Sequence, residues 1–176
     1  MAHYGKSQAT RSNDWTTPPE AWGDLVQYIP DGAIIWESAY CDGASGGRIA
    51  EVDTRKTRSK KLKIIHEKRD FFTEPPAHYT HQITNPPFSI KKEWLVHSIS
   101  QGKPFALLLP LATIGAKFFK DIYIKNKEIQ VIVAYKTYKY IEVIDGKETN
   151  KRLPIPSCFI TYKFKKNKDR IHYLTS

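Results

Sequence analysis

The sequence has few of the features that mark secreted, metal-binding or membrane-spanning proteins. Its two cysteines, Cys41 and Cys158, provide neither a disulfide framework nor a four-ligand zinc pattern, and its six histidines are scattered. We therefore expect no structural metal. No apolar run approaches the roughly 20 residues that span a bilayer, and the first residues lack the apolar core of a signal peptide. These absences favour a cytoplasmic protein with no membrane partner.

What the sequence does have is an excess of positive charge. Its 28 Lys and Arg residues against 18 Asp and Glu give a formal net charge of +10. This balance favours a polyanionic partner, nucleic acid first, although a basic surface can also serve solubility alone. The length of 176 residues fits one domain, which we place at residues 14 to 176 after a flexible N-terminal arm at 1 to 13. Nothing in the sequence indicates the oligomeric state.

Alternating strand and helix patterns predict an α/β fold. A helix is predicted to follow Thr17, with this threonine as its N-cap and Pro18 as its first residue. Apolar and β-branched runs predict strands at residues 33 to 36, 62 to 66, 82 to 84, 105 to 109 and 130 to 135, and helices are predicted at 48 to 52, 91 to 100 and around 118 to 123. Residues 138 to 144 and 158 to 164 predict an antiparallel hairpin. We therefore predict a mostly parallel, doubly wound sheet with a reversed edge strand in an antiparallel C-terminal hairpin.

Two loops that follow predicted strands are candidates for the functional site, because ligands of open α/β sheets bind beyond the carboxyl ends of the strands. The first loop covers residues 36 to 47 and is rich in small side chains. The second is Asn85-Pro86-Pro87-Phe88. Each is preceded by a short apolar or β-branched run, as that rule requires.

From about Asp14 to about Tyr140 the sequence resembles the class I adenine methyltransferases, especially short phage-type and bacterial members of the DNA N6-adenine group. Residues 15 to 18 match the Trp-x-Thr-Pro segment of that family. Residues 36 to 43 are similar to its Trp-Glu-Pro-Ala-x-Gly-Asp-Gly loop, and residues 70 to 72, after a third-strand region, match its Asp-Phe-Phe. The resemblance implies a Rossmann-like fold, S-adenosylmethionine as cofactor, and methyl transfer to the N6 amino group of adenine in DNA.

The resemblance also implies which residues bind the cofactor. Trp15 and Thr17 would lie against its methionine end, the Asp70 carboxylate would accept a hydrogen bond from its adenine amino group, and Glu67 is the candidate ribose-binding acid. The full predicted set is Trp15, Thr17, Glu37, Ala39, Cys41, Gly43, Glu67, Asp70 and Phe71. Ser38 and Cys41 replace a proline and a glycine of the family, which leaves open a nucleic-acid-binding protein that kept the fold but lost the cofactor.

The Asn-Pro-Pro-Phe motif has a chemical rationale of its own. An adenine amino nitrogen is a poor nucleophile because its lone pair is delocalised into the ring. Two acceptors aimed at its hydrogens, the Asn85 side-chain oxygen and the Pro86 carbonyl, would favour a pyramidal nitrogen with an available lone pair. Pro86 and Pro87 fix the backbone, and Phe88 offers a face on which an extruded base can stack. The predicted catalytic set is Asn85, Pro86, Pro87 and Phe88.

The motif does not identify the substrate by itself, because it also occurs in families that methylate RNA adenine or a protein glutamine amide. The net charge favours nucleic acid, and the Trp-x-Thr-Pro segment favours DNA, so DNA ranks first, RNA second and protein third. The predicted phosphate contacts are Arg55, Lys56, Arg58, Lys60, Lys61, Lys136 and Lys139. Tyr135, Tyr138 and Tyr140 are either base-stacking or structural residues.

Overall fold

One eight-stranded sheet with helices on both faces organises the chain in a computed structural model, which describes residues 14 to 164 and 168 to 174. The predicted arm at residues 1 to 13 lies outside the described residues. The elements are β1 (Asp14–Thr16), α1 (Pro19–Val26), β2 (Ile34–Trp36), α2 (Ser45–Val52), β3 (Lys63–Ile65), β4 (His81–Thr84), α3 (Lys91–Ser100), β5 (Phe105–Pro110), α4 (Lys117–Lys125), β6 (Ile129–Ile144), β7 (Lys147–Tyr162) and β8 (Ile171–Tyr173). Short 3₁₀ helices cover Phe88–Ile90 and Leu111–Gly115.

The sheet order is β1-β6-β7-β5-β4-β2-β3, with β8 also paired to β6. Strands β3, β2, β4 and β5 are parallel, so their carboxyl ends meet at one edge, whereas β7 runs antiparallel to both β5 and β6. The predicted α/β, Rossmann-like class with an antiparallel C-terminal hairpin is confirmed. The sheet is mixed, and the reversed strand of the hairpin, β7, lies inside the sheet, while the edge is formed by β1, which also runs antiparallel to its neighbour β6. The predicted edge position was wrong because β6 pairs beyond β7.

Alternation along the central strands divides the core between the two faces of the sheet. Leu107 and Leu109 pack with α3 and α4, through Leu95 and Phe119 among others, while Leu108 points to the face that α1 covers with Trp22, Leu25 and neighbouring residues. A third cluster near the β2 end is aromatic and contains Trp36, Phe71, Tyr79 and Trp94. Helices on both faces are what a doubly wound sheet requires.

The β6–β7 hairpin extends beyond the rest of the sheet. The last residue of β5, Pro110, pairs with Ser157, so the hairpin residues 137 to 156 project past the carboxyl edge of the parallel strands; we call them the projecting arm. Sequence patterns predicted two strands here, at 130 to 135 and 138 to 144, but they form one strand with an irregularity between Val133 and Thr137. Pro154 and Pro156 lie in the part of β7 that extends past the end of β5 and pairs with β6 alone. Proline suits such a segment, because it has no N–H to donate to a strand on the other side.

The projecting arm curls back toward the other side of the sheet. Within the arm, strand β6 pairs with β1, which places Trp15 opposite Glu142. The Thr16 hydroxyl of β1 then donates to the Asp42 carboxylate at 3.3 Å, although three strands separate β6 from β2 in the sheet. Arg48 of α2 makes an ion pair with Glu148 of the arm. The arm and the loop after β2 therefore form opposite walls around the end of β4.

Two local predictions were wrong. Pro18, not Thr17, occupies the N-cap position of α1, and no side chain caps the helix, because the proline side chain has no acceptor. Thr17 is buried, and its carbonyl accepts from Arg48 at 3.1 Å. Residues 66 to 80, all of which are described, contain no strand. The expected third-strand region is therefore missing, and Glu67 and Asp70 both follow β3. Among the described residues, no helix is long and apolar enough to cross a membrane.

Candidate active site

The two candidate loops meet at the carboxyl edge, because β2 pairs directly with β4. The N–H of Ala39, in the loop after β2, donates to the hydroxyl of Thr84, the last residue of β4, at 3.0 Å. Asn85 follows Thr84 at once. The start of the glycine-rich loop and the start of the Asn-Pro-Pro-Phe motif are therefore joined by a direct hydrogen bond.

Glu37 is the centre of this junction and is only 1% exposed. Its Oε1 accepts from the Thr84 hydroxyl at 2.5 Å and from the Ala39 N–H at 3.0 Å, while its Oε2 accepts from the Ser45 hydroxyl at 2.6 Å. Burial raises the pKa of this carboxyl, and the positive charge that His66 can carry acts in the opposite direction. Glu37 was predicted to bind cofactor, yet both of its oxygens are engaged within the protein.

Asn85, unlike Glu37, has a side-chain oxygen without a hydrogen-bond donor among the described residues. Its side-chain Oδ1 is buried and accepts no hydrogen bond from the part of the chain that the structure describes. A buried carbonyl oxygen without a donor costs about 1 to 3 kcal/mol, so such atoms are uncommon and call for a reason. One such reason is that a bound molecule supplies the donor, and the amine of a planar base carries two suitable hydrogens.

The rest of the motif forms a rigid turn into α3. Pro86 is buried, Pro87 is exposed, and the Pro87 carbonyl accepts from the Ile90 N–H at 3.2 Å. Phe88 is half-buried and meets Tyr140 of the projecting arm edge to face, with ring centroids 6.0 Å apart. The four residues predicted to be catalytic are thus consecutive at the carboxyl end of β4, beside the arm.

The loop after β2 makes a tight turn in which the Gly43 N–H donates to the Tyr40 carbonyl at 2.8 Å. Cys41 has φ of 46° and Gly43 has φ of 81°, both in the left-handed region. A side chain in that region strains the backbone, so Cys41 takes a conformation that glycine adopts more readily. It is the residue that replaces a glycine in the resemblance described above.

Two aromatic side chains cover this turn. A Cβ on residue 43 would lie 2.9 Å from the Tyr40 hydroxyl oxygen, and one on residue 46 would lie 2.5 Å from the His66 Cβ. The two rings pack together with centroids 5.1 Å apart, and His66 Nδ1 accepts from the Gly46 N–H at 3.2 Å. Gly43 and Gly46 therefore make room for side chains of the protein itself. Tyr40 remains 37% exposed, so its ring can rotate into solvent.

The segment predicted to contact the methionine end of the cofactor lies against the same turn. Asp42 accepts from Thr16 and, at 3.0 Å, from the Ala44 N–H. Trp15 is half-buried, and the Lys151 ammonium lies 5.6 Å from its ring centroid. Thr17 is buried, so only its backbone takes part in contacts that the structure describes. Trp15 is thus the side chain of this segment that a ligand beside the turn could reach.

The predicted residues after β3 have local partners. The Glu67 carboxylate is exposed and pairs with Arg69 at 2.5 Å. Asp70 Oδ1 accepts from the Phe72 N–H at 2.8 Å and so shapes its own turn. Phe71 is buried and stacks on Trp94 with centroids 3.7 Å apart, which makes its ring part of the aromatic core and keeps it from a ligand.

The predicted phosphate contacts fall into three groups. Arg55 is structural: it pairs with Asp31 and Asp53 and donates to carbonyls at the end of α1. Lys136 pairs with Asp24 at 2.9 Å, a contact that raises the pKa of its ammonium. The exposed remainder is divided between the amino edge of the sheet, before β3, and the projecting arm; it consists of Lys56, Arg58, Lys60 and Lys61 at the first and Lys139 at the second.

The proposed base-stacking tyrosines are mostly in the core. Tyr138 and Tyr140 are fully buried; their hydroxyls lie 2.7 Å from Asp24 Oδ2 and 2.9 Å from Ser157 Oγ. Only Tyr135 of the three is exposed. The stacking interpretation is therefore wrong for Tyr138 and Tyr140, because the arm turns these rings toward α1.

Sequence reasoning missed four residues that build the site: Ser45, Arg48, His66 and Thr84. His66 could have been found by applying the strand-end rule to β3 as it was applied to β2 and β4. Thr84 precedes the motif directly, but a threonine at the end of a strand is ordinary. Arg48 gave no signal because its partners Thr16 and Glu148 are distant in sequence, and a serine at the start of a helix, such as Ser45, is ordinary.

No protein-family model matches the sequence, and no curated protein matches it. Solved structures do match in fold. A type I restriction-modification methyltransferase subunit from Streptococcus thermophilus is 12% identical over 93% of this chain, with a TM-score of 0.51. A protein of Pyrococcus horikoshii proposed to be an RNA methyltransferase is 11% identical over 85% of this chain, with a TM-score of 0.55.

An S-adenosylmethionine-dependent O-methyltransferase from Thermotoga maritima is 11% identical over 92% of this chain, with a TM-score of 0.53. The chain spans 47% of the Streptococcus subunit, 85% of the Pyrococcus protein and 70% of the Thermotoga protein. At these identities the likeness establishes the methyltransferase-type fold, and the chemistry has to be argued from the site.

Proposed function

We propose that this protein is an S-adenosylmethionine-dependent methyltransferase that acts on the N6 amino group of adenine, with DNA as the first substrate and RNA as the second. The observation that carries the proposal is the buried, unpartnered Oδ1 of Asn85 at the carboxyl end of β4. An acceptor in that place matches a planar amine that needs one hydrogen held while its nitrogen attacks.

The residues around Asn85 would do three things. Asn85 Oδ1 and the Pro86 carbonyl would accept the two amine hydrogens, which directs the nitrogen lone pair away from the motif. Phe88, supported by Tyr140, would hold the plane of the extruded base. The walls formed by the projecting arm and the loop after β2 would limit water around the reacting nitrogen.

The cofactor would supply an electrophilic methyl group. We place it against the turn at residues 40 to 43, where the backbone has the left-handed path of a glycine loop, with Trp15 beside its methionine end. Tyr40 now covers Gly43 and would have to rotate outward, which its exposure permits. We keep Asp70 as the residue for its adenine amino group, because one carboxylate oxygen, Oδ2, makes no hydrogen bond that competes with that role among the described contacts.

The nucleic acid would lie along the projecting arm. Within it, Glu142 is paired with Lys151 and Glu148 with Arg48. The remaining exposed charged residues of the arm are three cations and one anion. The cations are Lys139, Lys147 and Arg152, and the anion is Asp145. Cations on a wall of the site can contact phosphates on either side of an extruded base. The basic residues before β3 lie at the opposite edge of the sheet and are left out of this surface.

The test is methyl transfer from tritium-labelled cofactor to DNA, RNA and protein in parallel. We expect label in DNA, and expect Asn85→Ala to lower the rate about 100- to 1000-fold, the usual cost of a lost transition-state contact, with cofactor affinity nearly unchanged. Gln27→Ala, which removes an exposed amide at the far end of α1, is the control and should leave the rate unaltered. An Asn85→Ala rate equal to that of the unaltered protein would overturn the proposal, and label only in RNA or protein would change its substrate.

A second candidate is a non-catalytic nucleic-acid-binding protein. It is favoured by one observation: Tyr40 and His66 fill the space beside Gly43 and Gly46. Thermal unfolding separates the two candidates, because a ligand at 100 times its dissociation constant stabilises the folded state by about 2.7 kcal/mol. A higher melting temperature with the cofactor or its demethylated product supports the enzyme. No shift with either at millimolar concentration, together with binding to nucleic acid, supports the second candidate.

A further inference from the structure

We infer that Glu37 is a positioning residue for Asn85, not a cofactor ligand, and that it acts through the hydroxyl of Thr84. The inference rests on the proposed function, since it assigns a role within the same site. It replaces the role that the family resemblance implies for this glutamate with one read from its contacts.

The Thr84 hydroxyl is used in both directions. It donates to Glu37 Oε1 and accepts from the Ala39 N–H, so its orientation is fixed by a carboxyl acceptor on one side and a backbone donor on the other. Because Asn85 is bonded covalently to Thr84, fixing Thr84 limits where the Asn85 side chain can point.

The other carboxylate oxygen ties the same group to the helix after the loop. Oε2 accepts from Ser45, the first residue of α2, at 2.6 Å. Glu37 therefore links the end of β2, the start of α2 and the end of β4. With two oxygens accepting three donors and 1% exposure, it has no free face for a cofactor amine or hydroxyl.

This arrangement predicts a particular pattern among substitutions. Glu37→Gln can keep every contact, because its amide oxygen can accept from Thr84 and Ala39 while its NH₂ group donates to the Ser45 hydroxyl. Glu37→Ala cannot. A glutamate that bound the cofactor through its charge would give a different result, since Glu37→Gln would then lose activity nearly as badly as Glu37→Ala.

The experiment compares Glu37→Gln, Glu37→Ala, Thr84→Val and Thr84→Ser in the full chain. Asp53→Ala is the matched control, because Asp53 is also a buried carboxylate with backbone partners but lies at the opposite edge of the sheet. Three quantities are measured: kcat, the dissociation constant for the demethylated cofactor, and the ¹⁵N-resolved side-chain amide signal of Asn85. That signal is identified as the one missing from Asn85→Ala.

We expect Glu37→Ala and Thr84→Val to lower kcat by about 100-fold, the effect of misplacing a reacting group by about 1 Å, and to shift or broaden the Asn85 signal. Cofactor affinity should stay within a few-fold, glutamine and serine should restore most of both properties, and Asp53→Ala should change neither. The inference is overturned if the Asn85 signal and kcat survive Glu37→Ala, or if Glu37→Gln loses cofactor affinity as Glu37→Ala does. If no variant transfers methyl, including the unaltered chain, the proposed function fails while the Asn85 signal still decides the positioning role.

Discussion

The two sides of the candidate site differ in how they are held. On the side proposed for the amine, Glu37, Thr84 and Ala39 form a buried network beside one acceptor, Asn85 Oδ1, that has no partner among the described residues. On the side proposed for the cofactor, the turn at 40 to 43 is covered by Tyr40, whose ring rests on His66 and is partly exposed. The first side is held by buried hydrogen bonds but has an acceptor without a donor. Within the described ranges, the second side has no such unfilled acceptor beside the turn, and its covering ring, Tyr40, can move.

This difference shows how a short chain can organise such a site. Buried, fully bonded polar groups fix geometry because breaking them leaves unsatisfied partners. A surface aromatic contact costs little to open, so a ligand can displace it. We therefore place geometric precision at the motif after β4 and ligand-dependent movement at the loop after β2. The following changes test that division, beginning with the largest expected effect.

Stability should respond in opposite directions to changes at adjacent residues. Thr84→Val removes a hydroxyl with two buried partners and should lower the free energy of unfolding by about 1 to 3 kcal/mol. Asn85→Leu removes a buried acceptor that has no partner and should raise it by about 1 kcal/mol, at the expense of activity. Urea denaturation followed by tryptophan fluorescence measures both. Equal losses in the two variants would mean that Asn85 is as well satisfied as Thr84.

Removing the tyrosine ring should strengthen cofactor binding. Tyr40→Ala uncovers Gly43, and we expect the affinity for the demethylated cofactor to rise roughly tenfold, about 1.4 kcal/mol, because the ring no longer has to be displaced. Isothermal titration calorimetry gives the constant, with Tyr173→Ala, an exposed tyrosine on β8, as the control. A weaker affinity in Tyr40→Ala would instead make the ring a contact of the bound cofactor and remove the contrast between the two sides.

Most of the fold could be predicted from local patterns. The helix at residues 91 to 100 buries one face, and the strands around 83 and 107 are short runs that are buried nearly throughout; the observed bounds of all three agree closely with the predicted ones. The short β1 and β8 strands were not predicted, because polar residues interrupt both, whereas the equally short β2 and β3 contain pairs of isoleucines. Strands β1 and β8 exist because they pair with β6, whose length was itself obscured by the irregularity after Val133.

The meeting of the two candidate loops at one edge of the sheet could be predicted as well, but the hydrogen bonds within them could not. The strand-end rule and the motif brought Asn85 and the loop after β2 together, whereas the roles of Glu37 and Phe71 depended on which way each side chain points. Phe71 turns into the aromatic core, and Glu37 turns toward Thr84. Sequence spacing cannot give these directions, since they are set by packing between strands that are distant along the chain.

We expect the smallest effects in the salt dependence of nucleic-acid affinity, which tests whether nucleic acid binds at the projecting arm or at the opposite, amino edge of the sheet. Lys139→Ala and Lys147→Ala, on the projecting arm, should each weaken nucleic-acid binding modestly and lower the slope of log affinity against log salt by about 1, because each phosphate contact releases about one counterion. Lys56→Ala and Arg58→Ala remove equal charge from the amino edge and should leave the slope nearly unchanged. If the amino-edge pair changes the slope and the arm pair does not, the nucleic acid binds away from Asn85, and the non-catalytic candidate becomes the better account of the protein.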